Sequence, residues 1–205
     1  MRRFAFRALV LLAALVGAQD VTGAGQSAAG AVPPAAGTAT TPDESFTATG
    51  QFHVTHIEWA GPNPTDTSTF GGRCSAPSSY VISFAAQVEA VPLGRVTGEF
   101  SHCSQLKFGP SGPAGASYSD GRGKYVAADG DELHATYGEG VSGANAETGK
   151  LWWRDKYTFT GGTGRFAGAS GTGRDFGEFA SFDEVLAGAS VPFNAEGTLK
   201  YEPRR

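Results

Sequence analysis

The chain has 205 residues, of which 40% are hydrophobic, 11% are aromatic, 30 are glycine and one is methionine. This composition suits a single domain with a core of ordinary size, and it excludes a helix bundle, a coiled coil and a collagen-like rod. The formal net charge is −4 and no basic run exceeds Arg204-Arg205, so the sequence argues against a protein that binds nucleic acid.

The first 18 residues have the pattern of a secretory signal peptide. Arg2, Arg3 and Arg7 precede a nine-residue apolar run from Ala8 to Val16, and small residues follow at the cleavage positions. Nine residues are too few to span a bilayer, so we expect no membrane span; a buried N-terminal helix is the alternative. We expect a secreted or periplasmic protein whose mature chain has 13 basic and 20 acidic residues, a net charge of −7.

Residues 19–44 follow as a segment rich in alanine, glycine, proline and threonine. They include no aromatic residue, no leucine or isoleucine and no basic residue. Such a segment buries too little apolar area to offset the entropy of the chain, so we expect a flexible linker. The folded domain is predicted to cover residues 45–203.

From Ser45 onward, apolar and polar side chains alternate with a period of two, which is typical of half-buried β-strands. Residues 92–94 and Asp129-Gly130 supply hairpin turns between strands. Residues 183–187 are the single candidate for a helical turn, with Ser181 as its N-terminal cap. The predicted strands are 45–55, 80–89, 95–106, 117–127, 132–141, 151–159, 166–179 and 191–201.

This order of elements predicts an all-β fold. Eight consecutive antiparallel strands protect their edges most completely by closing into one eight-stranded barrel, and a two-sheet sandwich is the alternative. The interior of such a barrel is either filled by side chains or holds one small ligand. Seven glycines between Gly161 and Gly177 suit bulges and tight barrel corners.

Cys74 and Cys103 are the only two cysteines, and in an exported chain they predict one structural disulfide. Their spacing fits neither a redox motif nor a zinc site. His53 and His56 are three residues apart on a predicted strand and are expected on opposite faces, where they cannot share a metal ion. With no complete nucleotide-binding or hydrolase motif either, we expect no metal and no cofactor.

Asp155 and His102 are the candidate catalytic residues. Alternation places Asp155 on the inward face with Trp153, and it places His102 on the inward face with Phe100. Desolvation raises the pKa of a buried carboxyl group, which suits a general acid or base. The structural alternative is that Asp155 pairs with an arginine (Arg122, Arg165 or Arg174) and that His102 donates to a backbone carbonyl.

An aromatic lining is predicted around these two residues, and it suits a small, largely apolar ligand. A binding barrel without turnover and a cofactor-free cyclase or isomerase are both compatible with it. A third alternative is a filled barrel that acts through exposed Trp152 and Phe179 as a homo-oligomer. The predicted ligand-binding residues are Tyr80, Phe84, Phe100, Tyr137, Trp153 and Tyr157.

The run Phe159-Thr-Gly-Gly-Thr-Gly-Arg-Phe-Ala-Gly-Ala-Ser-Gly-Thr-Gly173 resembles the G-G-T-G-x-F turn of the allene oxide cyclase and dirigent barrel superfamily. The signal peptide, the Ser101-His-Cys103-Ser strand and the Asp129-Gly130 hairpin are similar to its bacterial exported members of unassigned function. The resemblance implies a calycin-like barrel that works without a cofactor. Plant members cyclise an allene oxide or steer the coupling of phenoxy radicals, and some are oligomers. The shared glycine turn shapes a barrel corner, so it implies fold and no catalytic residue.

Overall fold

The computed structural model describes residues 43–59, 73–110 and 112–202 as one closed barrel of eight antiparallel strands. Each strand pairs with the next one along the chain, and the last pairs with the first, so the predicted barrel is confirmed. The predicted signal peptide (1–18) and all but the last two residues of the predicted linker (19–44) lie outside the described residues. The strands are β1 (Glu44–Trp59), β2 (Tyr80–Val91), β3 (Gly94–Gly109), β4 (Gly112–Ala127), β5 (Glu132–Ala144), β6 (Leu151–Gly162), β7 (Gly171–Phe179) and β8 (Val191–Leu199).

Short local turns produce this order. Gly94 and Gly130 both have positive φ, at 78° and 85°, which glycine adopts without steric cost. At the β4–β5 turn the Gly130 N–H donates to the carbonyl of Ala127 over 2.9 Å, as the Asp129-Gly130 hairpin predicts. The helical turn is also confirmed: α1 (Phe182–Leu186) begins after Ser181, whose hydroxyl accepts from the Glu184 N–H at 3.2 Å.

The seventh strand begins later than predicted. The sequence predicts it from Phe166, but residues 164–166 form a 3₁₀ turn and β7 starts at Gly171. Gly164 and Gly168 have φ of 51° and 75°, which turns the chain away from an extended path. The Phe166 side chain is fully buried, joins the hydrophobic core and packs on Tyr201.

The interior has two halves of different character. The filled half lies at the end where β1 begins, and there Phe46 packs edge-to-face on Phe159 with ring centroids 5.0 Å apart. The other half lies at the end covered by α1 and is called the cavity half below. Six side chains of the filled half are at most 2% exposed: Phe46, Val88, Leu133, Phe159, Phe166 and Leu199.

Bulges interrupt the alternation in the cavity half. The β1–β2 register shifts between Val54 and His56, and the β3–β4 and β5–β6 registers shift where Asp120 and Glu139 adopt positive φ of 53° and 54°. The bulge in β1 overturns one expectation. His53 and His56 pair with Ala85 and Ser83, which lie two residues apart on β2, so both histidines are exposed on the same outer face.

The predicted disulfide between Cys74 and Cys103 is confirmed, with Cα atoms 5.8 Å apart. The Cys103 side chain, on β3, points away from the barrel interior and forms a small buried cluster with Cys74 and Val81. The bond therefore anchors the segment before β2 to the outside of the barrel wall. Within the described residues, no three histidine, cysteine or acidic side chains are close enough to hold a metal ion.

Candidate functional site

A cavity of about 80 Å³ occupies the barrel interior between α1 and the filled half. Phe182, Val185 and Leu186 of α1 close over it. Its polar groups are His102, Asp155 and Asp175, together with tyrosine hydroxyls. The walls are mainly aromatic and include Phe52, Tyr80, Phe84, Phe100, Tyr118, Tyr137 and Trp153.

Most of the predicted site residues meet in this cavity. Both candidate catalytic residues, Asp155 and His102, line it, and so do five of the six predicted ligand-binding residues: Tyr80, Phe84, Phe100, Tyr137 and Trp153. Tyr157 is the exception. Its ring packs below the cavity against Phe46 and Phe159, with centroids 6.1 and 5.0 Å away.

The two residues proposed for an exposed surface are placed differently. Phe179 lines the cavity and packs edge-to-face on Phe182 of α1, with centroids 5.4 Å apart. Trp152 is half-buried on the outer wall, beneath the Arg154 guanidinium at 5.3 Å. Phe176, which points outward from β7, is the exposed aromatic of that strand.

Asp155 faces a second carboxyl group that the sequence analysis did not identify. Asp155 on β6 and Asp175 on β7 are direct cross-strand partners, and both line the cavity. Asp155 is 7% exposed, and the Oδ1 atoms of both residues are buried without a hydrogen-bond partner in the described part of the chain. Two of the arginines considered as partners bind elsewhere, because Arg165 contacts Asp129 and Arg174 contacts Glu196.

Burial and mutual repulsion govern the protonation of this carboxyl pair. Burial, and then the neighbouring charge of Asp175, raises the pKa of Asp155 far above its ordinary value. Burial likewise raises the pKa of Asp175. Two adjacent carboxyl groups in an apolar site cannot both ionise easily, so the pair retains a proton at a pH where exposed aspartates have lost theirs.

His102 is held between aromatic rings. Its imidazole stacks on Tyr118 with centroids 4.5 Å apart, and its Nδ1 lies 3.2 Å from the Tyr137 hydroxyl. Burial lowers the pKa of His102 to about 3, so the ring is neutral at ordinary pH. The structural alternative gave His102 a backbone carbonyl as its partner, whereas the side-chain partner found is the Tyr137 phenol.

The negative charge of the two carboxyl groups also affects the pKa values of the tyrosine hydroxyls in the cavity. Burial raises the pKa of Tyr137 well above its ordinary value, and the negative charges of Asp155 and Asp175 raise it further. The same two carboxyl groups add to the effect of burial at Tyr118. Because His102 is neutral, the described lining residues provide acidic groups and no cation.

Glycines on neighbouring strands make room for these side chains. A Cβ at Gly140 on β5 would collide with the Asp155 carboxylate and with the Tyr118 ring. A Cβ at Gly177 on β7 would lie 2.8 Å from Nε1 of Trp153. The carboxyl group and the indole thus occupy space that these glycines leave free.

Asp175 had a recognisable signal in the sequence. Thr172, Arg174 and Glu178 mark the outer face of β7, so Asp175 falls on the inner face. The signal is weak because the other inward positions of the strand are mostly glycines, which contribute no apolar periodicity.

Comparison of the chain with protein-family models, with curated proteins and with solved structures gave no significant match. Among the described residues, no helix is long and apolar enough to cross a membrane.

Proposed function

We propose that this protein is an exported barrel of the allene oxide cyclase-like type that holds a small, largely apolar molecule in its cavity. One observation carries the proposal: an aromatic-lined cavity lies inside a barrel whose other half is packed with buried hydrophobic side chains. An eight-stranded barrel has just enough interior volume for its own side chains, so a retained cavity with aromatic walls and few polar groups has the character of a binding site.

The burial of the aromatic side chains supports this interpretation. Phe46 and Phe159 in the filled half are 0% and 2% exposed, whereas Phe52, Phe84 and Phe100 around the cavity are only half-buried. Fully burying a large apolar side chain is worth about 1.5–3 kcal/mol, so the half-buried rings at the cavity wall still have apolar area to bury. A ligand that packs against these rings in the cavity buries part of this area.

The size of the cavity restricts the ligand. A dry cavity of about 150 Å³ accepts benzene, and the volume here is about 80 Å³. A ligand with a short aliphatic chain therefore fits the cavity as it stands. A larger molecule requires Phe182 and Leu186 of α1 to move aside.

Two features support the proposed location outside the cell. The Cys74–Cys103 disulfide persists in an oxidising compartment, and the first 18 residues have the order of charged and apolar residues that a secretory signal requires. Both are consistent with a ligand that the protein meets outside the cytoplasm.

Catalysis by a cofactor-free cyclase or isomerase is the second candidate function. The observation that favours it is the Asp155–Asp175 pair, because a carboxyl group with a raised pKa can donate a proton and take it back at neutral pH. In this case Asp155→Asn abolishes turnover of an apolar substrate and leaves its binding nearly unchanged.

Native mass spectrometry of the protein purified from its own periplasm or medium tests the binding function. We expect a small molecule that remains with the folded chain and is lost on denaturation. Phe84→Ala, in the cavity wall, should reduce its retention, and Phe176→Ala, on the outer face of the barrel, should not. A protein that carries no added mass, and takes up none from a panel of small apolar molecules, contradicts the proposal.

A further inference from the structure

We propose that the ligand of this cavity is a small apolar amine, bound as its ammonium ion between Asp155 and Asp175. The inference rests on the proposed binding function and specifies the chemical class of the ligand. Its basis is geometric: two carboxyl groups face each other inside the barrel, and the residues described around them bring no cation.

The carboxyl pair lacks what buried carboxyl groups normally have. Buried charges in proteins are paired or hydrogen-bonded, because an unpaired charge costs several kcal/mol to desolvate. Here the Oδ1 atoms of Asp155 and Asp175 are buried without a partner in the described structure, and the nearby imidazole of His102 is neutral. An ammonium group has three N–H donors and a positive charge, so it can satisfy both carboxyl groups at once.

The aromatic walls favour a cation in the same place. Trp153 lies two residues before Asp155 on the inner face of β6. Tyr137 lines the cavity from the neighbouring β5, and Tyr118 lines it from β4, one strand further on. The faces of aromatic rings carry partial negative charge and attract organic cations, most strongly when the site is dry. The apolar part of an amine can meanwhile pack against Phe52 and Phe84.

Ligands of other classes leave the charge of the carboxyl pair unsatisfied. An anion is repelled by the two carboxyl groups. A neutral alcohol or ketone can accept a hydrogen bond from the one proton that the pair retains, but it leaves the repulsion between the carboxyl groups in place. Of these ligand classes, the ammonium ion is the one that supplies the missing positive charge.

The test compares n-butylamine with 1-butanol, which have the same four-carbon chain and differ in the head group. At pH 7.5 an alkyl amine is an ammonium ion, as a lysine side chain is. Titrations of the mature protein are followed by NMR at the indole N–H of Trp153, which is assigned by a Trp153→Phe variant. We expect butylamine to bind about tenfold or more tightly than butanol.

Asp155→Asn and Asp175→Asn should each remove this preference while butanol still binds. Asp183→Asn, an exposed aspartate on α1, is the matched control and should keep it. If butanol binds as tightly as butylamine, or if the preference survives both cavity variants, the proposal of an amine is overturned and the binding function stands. If neither probe shifts the Trp153 signal, the proposal of an amine is overturned, and native mass spectrometry decides the binding function separately. The comparison in the wild type decides the matter even if a variant does not fold.

Discussion

Two carboxyl groups oppose each other across β6 and β7 inside the barrel, and this pair is the most informative feature at the scale of single residues. Neighbouring aspartates of a folded protein are usually neutralised by cations, but Arg165 and Arg174 are engaged by Asp129 and Glu196. The unpaired carboxyl groups of Asp155 and Asp175 therefore lower the stability of the folded protein. Such a cost is common at functional sites, where the missing partner is the ligand.

The first prediction concerns the pH dependence of stability. In the unfolded chain an aspartate titrates near pH 3.9, whereas the pKa values of Asp155 and Asp175 are raised in the folded state. Between these pKa values the folded state binds more protons, so the free energy of unfolding falls as pH rises, by about 1.4 kcal/mol per pH unit for each proton. Asp155→Asn should be more stable than wild type at pH 8, and the difference should shrink towards pH 4.

Urea unfolding of both proteins at pH 4, 6 and 8 measures this difference. His102 acts in the opposite direction, because its lowered pKa of about 3 makes the folded state lose stability as pH falls below about 6.5. Comparing variant and wild type at the same pH cancels that contribution. A stability difference that does not change between pH 4 and 8 contradicts the prediction.

At the scale of elements, bulges in β4 and β5 shape the cavity. Tyr118 and Gly140 face each other on one side of the bulged region, and Gly121 and Tyr137 face each other on the other side. The extra residues, Asp120 and Glu139, have positive φ. Tyr118 and Gly121 are three residues apart on β4, and Gly140 and Tyr137 are three residues apart on β5. In a regular strand such positions lie on opposite faces. Because each bulge changes the face on which the following residues lie, both tyrosines point into the cavity.

The second prediction tests the close approach at the β5 bulge. Gly140→Ala places a methyl group against the Asp155 carboxylate and the Tyr118 ring, and we expect it to cost about 1–3 kcal/mol in the free energy of unfolding. Gly138→Ala, in the same bulge, meets nothing within 4 Å and is the matched control. Chemical denaturation of the two variants measures the difference. Equal stabilities would show that the wall of the site yields to the added methyl group.

The third prediction concerns the disulfide, which links β3 to the segment that precedes β2. The bond closes a loop with a sequence separation of 29 residues, and the chain-entropy model gives about 3.5 kcal/mol of stabilisation for a loop of this length. We expect the double variant Cys74→Ser, Cys103→Ser to lose about this amount. Because the bond lies outside the wall, ligand retention in native mass spectrometry should persist. Loss of the ligand from a folded double variant would contradict this separation of roles.

At the scale of the whole molecule, the barrel combines a filled half that provides stability with a cavity half that is available for binding. Closure through the β1–β8 pairing leaves each of the eight strands hydrogen-bonded on both sides. The edges that would otherwise invite aggregation are therefore protected. The aromatic rings of the filled half can then pack tightly, and the packing of the cavity half can differ from it.

The fourth prediction compares equivalent truncations in the two halves. Phe46→Ala removes a ring that is 0% exposed and contacts Tyr125, Tyr157 and Phe159, so it should cost about 3–5 kcal/mol. Phe52→Ala removes a half-buried ring at the cavity wall and should cost clearly less, because part of that ring has no packing partner to lose. Thermal or chemical unfolding gives both values. A larger loss at Phe52 would indicate that the cavity half carries the stability.

Several features could be predicted from the sequence because they depend on local patterns. Alternation with a period of two identified all eight strands, and Asp129-Gly130 and Ser181 marked a hairpin and a helix start. The same alternation placed Asp155 and His102 on the inner wall. These inferences succeed because strand geometry and turn chemistry act over a few neighbouring residues.

Local sequence patterns are therefore sufficient to predict the eight strands, the disulfide pair and the inward position of Asp155. Other features follow from the folded barrel and not from these patterns. Asp155 faces Asp175, Tyr157 lies below the cavity, Phe179 lines it, and His53 and His56 share the outer face. The physical reason is register. Which side chains meet across two strands depends on how the strands slide and where bulges insert a residue, and packing around the closed barrel determines both.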